Sequence, residues 1–470
     1  MSLERKYQDS QGNHYIFKKA LGNRGQPGQA GFYEDEKGNL FVIKEDDIAT
    51  CIQEGSARFV EPYLPKEYKY AINLAWTEQF GEDKNNMKVV TIQPAIQEAK
   101  SLHMAIFGEE RNPKTLISPE SWNEQSVLNF IRRLSDHAKA TLAVAIFAKV
   151  FMGDESLHTG QFLVSVIESK EPKDEKIKTI KAEQIKDIIG IDTGASERHA
   201  LQREADKDFK HDNASNSYTG KLFSQAGNNY IKFLINDIDV RAKYVQLWIR
   251  SADKHEKMNV DTGHAADLRV DAFREALSHI PDKDKKKTIE KVYEIYAKGF
   301  KTKNTNTIDQ NILEETIRKV VSVRVGSMQK YAKSEFYNIF LKCDVRNLQL
   351  DEKNGDTEKF LSNYIFHPFT RTEEKNDDER LIKFFDTMTR VTEKQPPLTR
   401  DKIDAYYALL AHLHAAIEFR EDFNVARRNK LLKQIESLQD NILKKAKAPI
   451  KSQEEISPTI APPQNPKIFW

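Results

Sequence analysis

The stretch IGIDTGASERH, residues 189–199, places Asp192-Thr193-Gly194 directly after a short apolar run. An Asp in that position supports two chemistries. Brought together with a second D-T-G turn, it is one of two carboxylates that share a proton. Alone at the end of a buried strand, it holds a metal ion. A second copy does exist, Asp261-Thr262-Gly263 in KMNVDTGHAAD, residues 257–267. However, it follows the charged SADKHEKMNV and precedes the helical pattern AADLRVDAFREALSHI. Its expected place is therefore a helix start, with Asp261 or Thr262 as the cap. The region between the copies also reads as helical, whereas a paired-carboxylate site needs two β-rich lobes. Asp192 is thus read as a lone strand-end carboxylate.

The whole chain sets the bounds. Its 470 residues suffice for two or three domains with proper cores. With 39% apolar residues, 31% charged and a net charge of +2, it is a soluble globular protein without the basic field of a nucleic-acid binder. Two cysteines, Cys51 and Cys343, leave no disulfide framework or cysteine-rich zinc module and point to a reducing compartment. No apolar run approaches the ~20 residues of a membrane span, and the start of the chain lacks a hydrophobic signal segment. His412 and His414, spaced by two on a helical pattern, point apart and read as packing residues.

Going outward from Asp192, the order of parts becomes informative. The first hundred residues alternate short β-type runs with turns, among them GFYEDEKGNLFVIKED, a hairpin turning at Lys37-Gly38-Asn39. A helical segment follows at 47–61, and then the strands INLAWTEQF and MKVVTIQPAI. SVLNFIRRLSDHAKATLAVAIFAKVF, residues 126–151, reads as one long buried helix. Next come the loop GDESLHTGQ, the strand QFLVSV, a lysine-rich insertion over 168–186, and the strand IKDIIGID. The rest is mostly helical to about 445, with polar breaks at 351–359, 370–380 and 392–401, and a Pro-rich tail.

A small β-rich lobe, a buried helix, a loop, a strand pair and an Asp at a strand end is the order of parts in a protein kinase. GNRGQPGQAGFY supplies Gly22, Gly25, Gly28 and Gly31, which would let backbone N–H groups approach ATP phosphates, although the G-x-G-x-x-G spacing is absent. Lys44 ends the strand LFVIK where a phosphate-binding lysine would stand. Its acidic partner is expected in the next helix, Glu54 first and Glu61 in reserve. TIQPAI, 91–96, is the hinge, with Ile96 against adenine.

The loop GDESLHTGQ resembles that of atypical kinases: HipA-type bacterial toxins, phosphoinositide-kinase-like enzymes and the secreted effector kinases of Legionella. Gly153, Asp154, His158, Gly160 and Gln161 follow their G-D-x-D-x-H-x-G-N form. Ser156 departs from the family's Asp, and Gln161 from its Asn. The resemblance covers residues 15–200 and implies roles. Asp154, with His158 beside it in the loop and Glu155 as the poorer candidate, is the base or the carboxylate that orients the acceptor hydroxyl, and Gln161 and Asp192 hold magnesium. The implied fold is α+β and bilobal, protein-kinase-like: a β-rich N-lobe over 1–98 and a helical C-lobe over 99–340. An α-helical C-terminal domain over 341–447 and an extended tail over 448–470 follow.

The implied function is ATP- and Mg2+-dependent transfer of the γ-phosphate to a host protein Ser/Thr hydroxyl. Such an effector enters the host cytosol through a type IV secretion system, with a signal in the tail near Glu454 and Glu455. Two basic stretches extend this expectation. Lys283, Lys285, Lys286 and Lys287 cluster at a predicted helix start, either as a solvated face or, with the lysine-rich hairpin at 169–187, as a site for an activating inositol polyphosphate. NVARRNKLLKQIESLQDNILKKAK, 424–447, carries an apolar stripe of Val425, Leu431, Leu432, Ile435, Leu438, Ile442 and Leu443. It either packs on its own domain or binds membrane phosphoinositide. The alternatives are a phosphoinositide kinase and, because of Ser156 and Gln161, a membrane-tethered pseudokinase scaffold.

Overall fold

A computed structural model describes residues 6–21, 30–83, 86–97, 99–108, 124–154, 159–167, 180–191, 234–257, 263–297, 308–343, 360–361, 364–365, 377–393, 399–421 and 423–447. It is a mixed α+β structure of two compact units, Met1–Tyr331 and Ala332–Trp470. The division falls inside one helix, α8 (Gln310–Lys342), as does the expected boundary at 340.

Six antiparallel strands close into a barrel: β1 (Lys6–Asp9), β2 (His14–Ala20), β3 (Ala30–Asp35), β4 (Leu40–Lys44), β5 (Trp76–Gly81) and β6 (Lys88–Pro94). Their order is β1-β2-β3-β4-β6-β5, with β5 pairing back to β1. Two turns use the same device, D-x-x-G-N. Asp9 Oδ1 accepts from the Gln11 and Asn13 amides, and Asp35 Oδ1 from those of Lys37 and Asn39. Each turn places a glycine at positive φ, Gly12 at 86° and Gly38 at 82°. Strand alternation fills the barrel with Tyr7, Tyr15, Tyr33, Ile43, Phe80, Val90 and Ile92. Their rings meet edge-on and stacked, with Tyr33 and Phe80 5.3 Å apart.

Outside the barrel lie α1 (Ile48–Gly55), capped by the Asp47 carboxylate, and a 3-10 segment, Ser56–Tyr63. A second sheet, β7 (Lys100–Ser101), β8 (Phe162–Val166) and β9 (Ile185–Gly190), has the order β7-β8-β9. β8 and β9 are the expected antiparallel pair, with Leu163 opposite Ile189. Asp192 follows two residues after β9, outside the described residues. Among the described residues, the helices of this unit beyond α1 are α2 (Leu102–Phe107), α3 (Glu124–Arg132), α4 (Asp136–Phe151), α5 (Ile238–Lys257), α6 (His264–Ser278) and α7 (Asp282–Ala297), with the first part of α8.

The single helix expected over 126–151 is two helices, α3 and α4. Ser135 breaks it by accepting from the Ala138 amide as the N-cap of α4. α4 is buried almost all round, packed on β9 and on α5, where Trp248 meets Phe147 and Phe151 at 4.9 and 5.5 Å. The second D-T-G does precede a helix. Its cap residue is Gly263, while Asp261 and Thr262 lie outside the described residues.

The second unit holds the end of α8 with α9 (Asp377–Glu393), α10 (Arg400–Glu418) and α11 (Val425–Lys447). α10 is buried over most of its length, His412 and His414 included. On α11 the buried stripe is Leu431, Ile435, Leu438 and Ile442. Val425 and Leu443, expected in it, are exposed, because the stripe follows a narrower face than the sequence suggested. Among the described residues, no helix is long and apolar enough to cross a membrane.

Candidate active site

In β4 the alternation that sends Phe41 and Ile43 into the barrel turns Val42 and Lys44 outward. Lys44 lies opposite Thr91 of β6, and α1 crosses the same face. Glu54, one residue from the end of α1, stands between them. Its Oε1 is 3.4 Å from Lys44 Nζ, and its Oε2 accepts from Thr91 Oγ1 at 3.1 Å. The Glu54 side chain is 1% exposed and that of Lys44 17%, so the pair sits largely out of water. Glu61 takes no part in this pair; it bonds Arg58 at the surface.

Lys44 borders a cavity of about 950 Å³ between the barrel and the second sheet. Ala30, Phe32 and Val42 form its barrel wall, Leu163 and Ile191 come from the β8–β9 side, and Gln93, Pro94 and Ile96 supply the connection from β6. Asn73 joins the two sides: its amide hydrogen reaches the Gly190 carbonyl, and its side chain the Pro94 carbonyl. The apolar walls suit a flat heterocycle, and at the polar end Lys44 lines the cavity together with Glu45, Asp46 and Asp47, so an anion there meets the lysine among three carboxylates.

The glycines behave differently. Gly31 lies in β3, where a Cβ would stand 2.6 Å from the Phe17 ring and 2.8 Å from the Lys19 carbonyl, so close strand packing accounts for it. Gly22, Gly25 and Gly28 lie outside the described residues, as do Glu155, Ser156, His158 and Asp192.

Asp154 and Gln161 come together around a residue the sequence reading passed over. Lys149, in the last turn of α4, is fully buried and donates to Asp154 Oδ2 at 2.6 Å and to Gln161 Oε1 at 3.1 Å. The backbone repeats the tie, with the Asp154 amide donating to the Lys149 carbonyl and the Ile191 amide to that of Gln161. Neither Asp154 nor Gln161 borders the cavity. A lysine inside an apolar helix was the available signal, because a buried ammonium requires an anionic partner. As it stands, Gln161 does not fit a magnesium ligand: its amide oxygen, in a residue 6% exposed, accepts from an ammonium.

No protein-family model matches the chain. No curated protein matches it either. Among solved structures, it is similar to the Helicobacter pylori proinflammatory kinase CtkA, at 13% identity and a TM-score of 0.28. That match covers 67% of this chain and 95% of the other.

Proposed function

We propose that the chain is an atypical ATP-dependent kinase, transferring the γ-phosphate to a protein Ser/Thr hydroxyl as a bacterial effector in a host cell. The observation that carries this reading is the Lys44–Glu54 pair at 3.4 Å, at the edge of a cavity walled by barrel strands on one side and by Leu163 and Ile191 on the other. A lysine so paired is held where it can meet ATP phosphates, and the apolar walls accept adenine. Catalysis of this kind comes mainly from alignment and charge neutralisation. Asp192 remains the residue proposed to hold magnesium. Asp154 has one oxygen on Lys149 and no exposed side-chain surface, so it can orient an acceptor only if its surroundings open.

A second reading has its own observation. With Asp154 and Gln161 both held by Lys149, a nucleotide-binding pseudokinase that tethers partners fits the loop as it stands. γ-Phosphate transfer from labelled ATP with magnesium, to a generic protein and to phosphoinositide vesicles, separates the readings. Label in the wild type that is lost in Lys44→Ala and Asp192→Ala supports the kinase, and the labelled acceptor separates protein from lipid. Nucleotide binding without label under every condition supports the scaffold. The proposed inositol polyphosphate activator predicts a higher melting temperature and faster labelling when such a compound is added; no change in either rules it out.

A further inference from the structure

Gln53 and Glu54 are neighbours on α1, about 100° apart around the helix axis. Glu54 faces Lys44, and Gln53 faces away from the barrel toward α6 and α7. There Gln53 Oε1 accepts from Arg269 Nη2 of α6 at 2.6 Å and from the Tyr296 hydroxyl of α7 at 3.3 Å, while Arg269 Nε donates to that hydroxyl at 3.1 Å. The guanidinium also lies 5.0 Å from the Phe59 ring, on the 3-10 segment that continues α1. Arg269 is 0% exposed and Gln53 and Tyr296 1% each, so the knot is sealed from water. On the opposite side, Thr77 Oγ1 of β5 donates to the Cys51 carbonyl. A Cβ at Gly55 would stand 2.0 Å from that hydroxyl oxygen. α1 is therefore pressed between β5 and the α6–α7 pair, with Arg269 and Tyr296 holding its outer face through Gln53.

We propose that Arg269 is a positioning residue for the Lys44–Glu54 pair: by gripping Gln53 it sets the rotation of α1 that brings Glu54 to Lys44. The inference rests on the nucleotide-binding reading of the cavity and adds to it a control point on residues 264–297, far from Lys44 in sequence. A buried guanidinium in a fixed fork holds a helix face more rigidly than apolar packing alone.

The test is ATP affinity of the full chain, measured by titration well below the melting temperature, for wild type, Arg269→Met, Lys44→Ala and the double variant. Loss of a charge-assisted hydrogen bond predicts about tenfold weaker ATP binding in Arg269→Met. The same change made on Lys44→Ala is expected to alter affinity less than about twofold, because independent sites would add and these are coupled. A purely structural arginine would weaken both backgrounds equally, and that result overturns the proposal, as does unchanged affinity in Arg269→Met. Should Arg269→Met not fold, Tyr296→Phe, which removes only the hydroxyl from the knot, carries the same comparison. A wild type that does not bind ATP, or binding indifferent to Lys44→Ala, overturns the nucleotide reading itself and this inference with it.

Discussion

Lys149 is unexposed and bonded to two loop residues seven positions apart, so its removal takes a short ion-pair partner from the buried Asp154 carboxylate. Lys149→Met is predicted to destabilise the unit by about 3 kcal/mol, the usual cost of breaking such a pair from one side. The double variant Lys149→Met/Asp154→Leu should recover most of that loss, and urea unfolding of the three proteins checks it. Glu78 and His279 make a second test. Burial pushes the Glu78 carboxyl up, but hydrogen bonds from His279, Ser10 and the Gln79 amide outweigh it and leave it below its ordinary 4.5. The hydrogen bond to Glu78 raises His279 above its ordinary 6.5, against burial, with Glu275 adding to the lift. The histidine's contribution is full below 6.5 and fades as pH rises through its raised value. That of the glutamate is full above 4.5 and fades as pH falls through its lowered one. The pair thus stabilises most between 4.5 and 6.5. The melting-temperature gap between wild type and His279→Phe should be widest there and should narrow above neutrality.

At the scale of elements, most strands were legible because their signals are local, whereas β1 and β7, too short to show alternation, were not. Lys37-Gly38-Asn39 turns the hairpin as its residues demand, and the alternation in LFVIK places Lys44 outside the barrel. The break between α3 and α4 was also written locally, in Ser135 followed by Asp136, but unbroken apolar periodicity on both sides hid it. Ser135→Ala should cost about 1 kcal/mol, read by denaturant unfolding. Gly31 shows the opposite failure. Its place in a glycine-rich stretch suggested phosphate contact, whereas its neighbours across β2 require a bare backbone. The knot of Gln53, Arg269 and Tyr296 joins residues far apart in the chain, so no window of sequence displays it, whereas the ties of Lys149 fall within 149–161 and were signalled by a lysine inside an apolar helix.

At the scale of the whole chain, the basic residues of α11 and the cavity beside Lys44 belong to different compact units. Its apolar stripe is spent on packing against α9 and α10, while Lys430, Lys433 and Lys444 are exposed. If this helix carries the proposed membrane contact, that contact is electrostatic and not an insertion. Each charge near an anionic surface adds about 1 kcal/mol, so Lys430→Glu/Lys433→Glu should weaken phosphoinositide-vesicle binding by more than about tenfold and leave ATP affinity unchanged. Cosedimentation with vesicles at two salt concentrations measures it. The central claim remains that the cavity beside Lys44 serves phosphate transfer. Its most direct measurement is the rate of labelled γ-phosphate transfer by the full chain beside Lys44→Met, with both proteins shown to melt alike. The account predicts transfer by the wild type and its loss in the variant; transfer of equal rate in both would contradict it.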